Sequence, residues 1–476
     1  MANKHEGTQV HALFERVFLS LLFIKDTFFD FEEGVLFLFY VVFETRFFRM
    51  KRNFKKERMV PMKLRRTKDE GWYEIVSICP ICGHKGWCRI NKDQTVVHCM
   101  RVQSEHYFDS QIGRQYIHQL NEQESPTTPL EIEENHDVEK KANDYLDGVY
   151  RTFLEESNLS DFHLSALLKR NMTKEQIHTR EYRSLPSQDR HKITKRVSDR
   201  LSSPEDLLGV PGFYVKEGTY GPYWTMAGHS GTLIPYRSIY NEITGFQIRV
   251  DQPSLELRLK GNIKGRVLRE VEKENGLCKA ICELVIAGRR MEGGLIEKDI
   301  RSSKDARGEF LCSAELVQGQ KYYWWSSSNK LNGSSVGSPI PYHFAIPSDL
   351  MGNWDYENTP DKLLDCSEVW LTEGGLKADI ASDALYKPFI GIPGLNSFSV
   401  ALEPLKAIGC KHLVIAADAD VTITPAVELA LGNCVEFFAN HTDMKISLAM
   451  WDISLAKGID DLVSRLYVPQ VTTLVG

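Results

Sequence analysis

The chain of 476 residues lacks several features that would each have fixed a class of function. It has no bilayer-length apolar run. Val17–Ile24 and Val35–Phe43 are eight and nine residues long and are separated by Asp26, Asp30, Glu32 and Glu33, whereas a spanning helix needs about 20 residues. No clear positive stretch precedes the first run and no clear small-residue cleavage site follows it, so neither a secretory leader nor stable membrane association is expected. Gly-x-x-x-x-Gly-Lys-Ser/Thr is missing, which excludes a phosphate-loop helicase motor and leaves any helicase to a separate partner. A basic excess is missing too. With a net charge of −6 and a pI of about 6.2, contact with nucleic acid needs a local basic patch. Nor is there a spread disulfide framework. Of the 10 cysteines, Cys79, Cys82, Cys88 and Cys99 crowd together, and Cys278, Cys282, Cys312, Cys366, Cys410 and Cys434 are scattered. That pattern points to a metal site in a reducing compartment, and a cytoplasmic location is expected.

What is present is a globular composition, 42% hydrophobic and 26% charged, in a chain long enough for about three domains. Residues 1–54 stand apart because they hold 12 of the 23 phenylalanines. A membrane-associated hairpin, a buried helical pair and an upstream segment translated from too early a start all fit. The last is favoured, since Met50, Met59 and Met62 offer later starts. Residues 1–58 are therefore read as an anomalous extension. From Arg49 to Lys68, ten Lys or Arg stand against Glu57 alone, the composition of a solvated or phosphate-contacting arm.

Cys79-Pro-Ile-Cys82-Gly-His-Lys-Gly-Trp-Cys88 predicts a metal knuckle followed by a strand, with Gly83 letting the turn close. Short strands are expected at Trp87–Asn91 and Thr95–Met100. Cys88 and Cys99 are the natural remaining ligands of a structural zinc, with His84, His98 and His106 competing for the fourth place. This β zinc ribbon is bounded at 69–120. From Asn121 to Lys141, seven acidic residues against two lysines read as a linker that would leave the ribbon hinged.

Residues 142–350 read as helical and then α+β. Tyr145, Val149, Phe153 and Leu154 have helical spacing, and strands begin at Gly231 and Gly245. Residues 264–320 are expected to be an insertion with helical parts, with Cys278 and Cys282 packing at i, i+4. Around Lys321-Tyr-Tyr-Trp324-Trp325, aromatic and basic groups suit base stacking and phosphate contact, and a core strand edge explains them about as well.

The densest chemistry lies in residues 351–476. Glu368–Glu373 predicts a buried strand ending in an acid, Gly374-Gly375 a turn, and Leu376–Leu385 a helix. The apolar strand from His412 runs into Asp418-Ala-Asp420, ahead of a helix at Pro425–Leu431. Strand–helix–strand–helix order predicts a parallel, Rossmann-like sheet whose C-terminal strand ends share one edge. Glu373, Asp418 and Asp420 should meet there, and acids without basic partners call for a divalent cation, magnesium or manganese. Lys377 reads as a helix-surface ion pair with Glu373. Lys457-Gly-Ile-Asp460-Asp461 supplies a further acid pair, or a loop with a helix cap. The expected whole is a multidomain α/β protein.

The Glu373-Gly374 turn with Asp418-Ala-Asp420 resembles the TOPRIM domain shared by bacterial-type primases, topoisomerases and some nucleases. An upstream zinc ribbon resembles the order found in bacterial, phage and plasmid DNA primases. Thr372-Glu-Gly-Gly-Leu-Lys-Ala-Asp379, Gly391-Ile-Pro-Gly-Leu395 and Lys457–Asp461 are similar to DUF3854, a TOPRIM-like family of bacterial mobile-element proteins. The resemblance implies acid–base chemistry at Glu373 and a metal on Asp418 and Asp420, with Glu373 beside it. Lys377, Lys457, Asp460 and Asp461 would be accessory. It further implies primer synthesis from nucleoside triphosphates on single-stranded DNA, with a separate replicative helicase as partner. Trp87 and Arg89 of the ribbon, and Lys321, Trp324 and Trp325, are the candidate DNA contacts. A TOPRIM nuclease and a non-catalytic DNA-binding scaffold are the alternatives.

Overall fold

The computed structural model describes residues 63–476 except 68, 78, 85, 111–112, 121–130, 134–136, 262, 275–276, 287–288, 305–307, 309 and 338. The extension read at 1–58 and the basic run as far as 62 lie outside the described residues.

The cysteine-rich part is one seven-stranded sheet. Its strand order is Tyr107–Ser110, Gly113–Gln119, Val96–Cys99, Arg89–Asn91, Trp72–Ile75, Lys63–Arg66 and Glu131–Glu133. Neighbours are antiparallel except the last pair, which is parallel. The presumed linker thus supplies an edge strand to this sheet. Alternation along the strands sends Leu64, Ile75, Ile90 and Val97 to a small core with the cysteines, and leaves Arg65, Trp72, Arg89 and His98 on the opposite face.

The middle region begins with the helix Asn143–Glu155, whose Leu146, Val149, Tyr150, Phe153 and Leu154 form a buried stripe at helical spacing. The helices Asp161–Leu168, Lys174–Thr179 and Arg190–Arg200 follow. An antiparallel sheet in the order Tyr322–Trp324, Ile243–Val250, Gly231–Arg237, Arg183–Leu185 packs against them. Its core centres on Trp325, which is 0% exposed.

The insertion departs from expectation, because among its described residues there is no helix. Leu255–Gly261, Ile263–Glu274, Leu277–Ile286, Arg289–Ile296, Ile300–Lys304 and Phe310–Gln318 are strands of two three-stranded antiparallel sheets. They share a core that includes Ile263, Ala280, Cys282, Leu295, Cys312 and Leu316. Cys278 and Cys282 lie on one strand and pack in that cluster.

The C-terminal sheet has six strands in the order His343–Ala345, Phe389–Ile392, Glu368–Glu373, His412–Ala416, Lys445–Met450, Gln470–Val475. It begins at His343, ahead of the boundary expected at 351. The inner four strands are parallel and the two edges antiparallel. Both faces are covered. The helix Gly375–Leu385 packs on the face of Trp370, Val414 and Ala416. The helix Pro425–His441, longer than the Pro425–Leu431 expected, packs on that of Val369, Leu371, Leu413 and Ile415. Burial on both sides explains the unbroken apolar strands. From Glu368–Glu373 the chain proceeds to one side of the sheet and from His412–Ala416 to the other, so strand order reverses between these neighbours.

Candidate active site and metal centre

The knuckle closes because Gly83, in the left-handed region at φ 71°, donates its N–H to the Cys79 carbonyl at 2.9 Å while Cys79 N–H reaches His84 O at 2.8 Å. All four sulfurs then lie within 4.8 Å of one another. Cys82 to Cys88 is 3.8 Å and Cys88 to Cys99 is 3.9 Å. Zinc–sulfur bonds of about 2.3 Å give a tetrahedron with edges of about 3.8 Å, so the donor set fits zinc. None of the four is in a disulfide. Hydrogen bonds from its three neighbours favour the thiolate at Cys82, and Cys79 lowers Cys99 as well, while Cys79 and Cys88 are pushed up. A dication removes that conflict. Arg101 places Nη1 3.2 Å from Gly86 O and 3.7 Å from Cys82 Sγ, a positive charge beside a site that four thiolates on one dication would leave negative. The histidines are elsewhere. His84 Nδ1 bonds Cys82 O at 2.7 Å, His98 stacks on Trp72 at 3.8 Å, and His106 is exposed. Cys88, and none of the three histidines, completes the four-donor cluster.

The acids gather where strand order reverses, the position at which open α/β sheets form sites. Glu373 ends one strand and Asp418 follows its neighbour. The turn after Glu373 needs Gly374 at φ 87°, a conformation glycine adopts without strain. Ala419 N–H bonds Lys457 O at 2.8 Å, which draws the Lys457–Asp461 loop across the Asp418–Asp420 turn.

The expectation of acids without basic partners is corrected here. Lys377 Nζ pairs with Asp418 Oδ1 rather than Glu373, and Lys457 Nζ lies 2.7 Å from Asp420 Oδ2 and 3.9 Å from Asp418 Oδ2. Among the described residues only the four cysteines bring three or more ligand atoms within 4.8 Å, so the carboxylates stand apart with ammonium groups against them. Burial raises the Glu373 carboxyl; Lys377 opposes that, and Asp418 and Asp420 add to it. Burial also raises Asp460, with Asp461 adding to it and Lys377 and Arg170 opposing. Asp460 is 3% exposed and bonds Arg170 Nη1 at 2.7 Å. Asp461 is exposed.

Sequence reasoning passed over the support beneath this turn. Tyr236 OH accepts the Gly375 N–H at 3.0 Å, tying the first helical residue after Glu373 to the middle region. Close by, Asp379 is buried at 2% exposure, with hydrogen bonds from Arg180, from Tyr182 OH and, at 2.9 Å, from His343 Nε2. Arg237 N–H donates to His343 Nδ1 at 3.1 Å, so Nε2 carries the ring proton. Burial alone would raise Asp379, but Arg180, His343 and Tyr182 hold it at about 2. Asp379 stood in the Thr372–Asp379 motif, but its partners lie up to 199 residues away in sequence.

The proposed DNA contacts divide. Trp325 is core, its Nε1 donating to Ala227 O at 3.1 Å, and that assignment is withdrawn. Trp324 packs its ring 4.7 Å from Tyr236, also in the interior cluster. Lys321 is exposed. Trp87 is 46% exposed beside the knuckle, and Arg89 pairs with Asp69 on the open face of the ribbon sheet. Trp72, His98 and Phe108, the last 4.8 Å from His98, extend that face as an aromatic row absent from the sequence reading.

No family model and no curated protein sequence matches the chain. Solved structures do. The zinc-binding and RNA polymerase domains of the Aquifex aeolicus primase align over 84% of this chain and 77% of that one, with TM-score 0.37 and 9% identity. The RNA polymerase domain of Mycobacterium tuberculosis primase DnaG aligns over 70% of this chain and 85% of that one, with TM-score 0.40 and 14% identity. The same domain in complex with a double-stranded DNA oligomer with a 6-nucleotide overhang gives TM-score 0.40 and 12% identity, over 70% and 83%. No helix among the described residues is long and apolar enough to cross a membrane.

Proposed function

We propose that this chain is a primase-like DNA replication protein. The ribbon at 69–120, extended by its flanking strands, contacts single-stranded template. The region 142–350 supports the site, and 351–476 is a TOPRIM-type domain that joins nucleoside triphosphates. The observation that carries this reading is the set of contacts where the parallel strand order reverses, Asp418 with Lys377, Asp420 with Lys457 and Asp460 close by across Gly458, with Glu373 at the end of the neighbouring strand.

The donors there are hard carboxylate oxygens, which suit magnesium or manganese, and the repulsion from Asp418 and Asp420 that adds to the effect of burial on Glu373 is what a cation relieves. Held by Asp418 and Asp420 with Glu373 beside it, a divalent cation would supply activation of the 3′-hydroxyl and neutralisation of the departing pyrophosphate. The chain's own groups do the rest. Glu373, with its raised carboxyl, takes up the hydroxyl proton. Lys377 and Lys457 carry positive charge toward phosphate oxygens. On the ribbon, Arg65 and Arg89 contact template phosphates while Trp72, His98 and Phe108 offer faces for base stacking.

The test is incubation of the full-length protein with single-stranded DNA, four ribonucleotides and magnesium or manganese, resolved on a denaturing gel. Short new oligonucleotides that vanish in Glu373→Ala and Asp418→Ala are expected. Shortened template would move the assignment to a nuclease. One observation favours a second reading: Lys377 and Lys457 already neutralise the aspartates, as a non-catalytic DNA-binding scaffold would need. Template binding without product would establish it.

A further inference from the structure

A cavity of about 490 Å³ opens in the middle region, away from the acids. On its wall Ser184, His163 and Asp251 form a hydrogen-bonded line. His163 Nδ1 is 2.6 Å from Ser184 Oγ, and its Nε2 is 2.6 Å from Asp251 Oδ1. The partners fix the protons. A carboxylate can only accept, so Nε2 carries the imidazole proton, and the second oxygen of Asp251 accepts from Ser230 Oγ at 2.9 Å. Nδ1 then presents a lone pair to the Ser184 hydroxyl at 2.6 Å, competing for its single hydrogen with the more distant Ser160 Oγ at 3.2 Å. Ser160 N–H donates to Ser184 Oγ at 2.8 Å and pins it in place.

That last bond alone would tie the edge strand Arg183–Leu185 to the helix Asp161–Leu168. An imidazole backed by a carboxylate adds nothing to the tie, but it is what a serine nucleophile requires. His163 is 6% exposed, Ser184 is half-buried and Asp251 is exposed, so the hydroxyl meets the cavity and the base is shielded. Ser157 Oγ, in the same lining, is buried with no hydrogen-bond partner, a donor available to a developing oxyanion.

We propose that this cavity is a second catalytic site, a serine hydrolase centre with Ser184 as nucleophile, His163 as base and Asp251 as the residue that orients it. Arg196 in the lining is paired with Glu156 at 2.8 Å, so no unpaired cation awaits a phosphate, and Phe162 offers an exposed ring. The substrate class is therefore an uncharged ester of a small carboxylic acid. Ser184 Oγ bonds to the acyl carbon as its proton passes to His163 Nδ1. The ester C–O bond breaks, and the leaving alkoxide takes that proton. Water then attacks the acyl-serine, gives a proton to Nδ1 and releases the acid, and Ser184 recovers its hydrogen.

The test is to treat the full-length protein with a fluorophosphonate and, separately, with p-nitrophenyl acetate, and to map the adduct by peptide mass. A single adduct on Ser184 is expected, together with an acetyl-enzyme burst. His163→Ala and Asp251→Asn, checked for folding by thermal melting, should slow labelling by about a hundredfold or more. Wild-type protein with Ser184 unmodified, or an adduct only elsewhere, overturns the proposal whatever the variants do. So does a folded His163→Ala that labels at the wild-type rate.

Discussion

Glu373 and Asp379 flank one turn, and burial pushes both carboxyls upward; what their neighbours do then separates them. Around Glu373 the opposition of Lys377 and of the Leu395 backbone does not offset burial, to which Asp418 and Asp420 add, and the carboxyl stays raised. A raised acid contributes stability that is present below its unfolded value, about 4.3, and lost as pH rises through the folded one. Glu373→Gln, without added divalent metal, should therefore melt above wild type at pH 8, with the gap closing towards pH 4. At Asp379 the guanidinium of Arg180 and the His343 and Tyr182 donors win, and the group sits at about 2. Its stabilisation is present above about 3.9 and is lost as pH falls through about 2. Asp379→Asn leaves Arg180 buried with Asp383, at 3.0 Å, as its remaining carboxylate, so the loss at pH 7 should be smaller than the about 3–5 kcal/mol of a fully broken buried pair, and that loss should shrink below pH 4. Melting curves of both variants against pH check the two signs together. A common sign would show that the neighbours have been misread.

At the scale of elements, the Lys457–Asp461 loop leaves little space beside the acids. A Cβ on Gly458 would lie 2.5 Å from Asp460 Oδ1, 3.3 Å from Lys377 Cε and 3.5 Å from Asp418 Oδ1. Gly458→Ala should push these groups apart and lower primer synthesis by about tenfold or more, the equivalent of about 1.4 kcal/mol. Melting temperature should fall little, because the strain falls on a loop; unchanged synthesis would remove this loop from the site. The same scale shows what the sequence could reveal. Strand ends at Glu373 and Asp418 were legible because strands buried on both faces are unbroken apolar runs. Lys377 was misassigned because Gly374 resets the chain. The helix starts at Gly375, so Lys377 is in its first turn and not one turn beyond Glu373. In the insertion, Cys278 and Cys282 fit helix and strand equally, since residues i and i+4 share a face in both. Trp324 and Trp325, adjacent at a strand end, point into opposite clusters, a period-two consequence that a reading of the run as one binding patch missed.

For the whole molecule, the ribbon's attachment decides how template could reach the acids. A hinged module was expected, yet Arg114, 5% exposed, is held by Asp109 at 2.9 Å and by Glu436 of the helix Pro425–His441 at 2.6 Å. Tyr116 and Asn433 are hydrogen-bonded across the same contact. Ser399 Oγ donates to Ser110 O at 2.8 Å. At Gly113 a Cβ would come 2.0 Å from Asn396 O. The turn that receives Gly113 also lies against the site, because the Leu395 backbone acts to lower the Glu373 carboxyl against the burial that raises it. The ribbon is thus packed against the C-terminal domain through Gly394–Asn396 and through Ser399, Asn433 and Glu436. Arg114→Ala removes the cation between Glu436 and Asp109 and should cost about 3–5 kcal/mol at this contact, while the four-cysteine cluster, on other strands, should take up zinc as the wild type does. The variant should bind single-stranded DNA nearly as wild type does, yet make at least about tenfold less primer, because binding needs only the ribbon face whereas synthesis needs that face held beside the acids. Fluorescence anisotropy for binding, metal analysis for zinc and the gel assay for product separate these effects. Equal losses in binding and synthesis would mean that the contact merely stabilises the ribbon and has no part in presenting template.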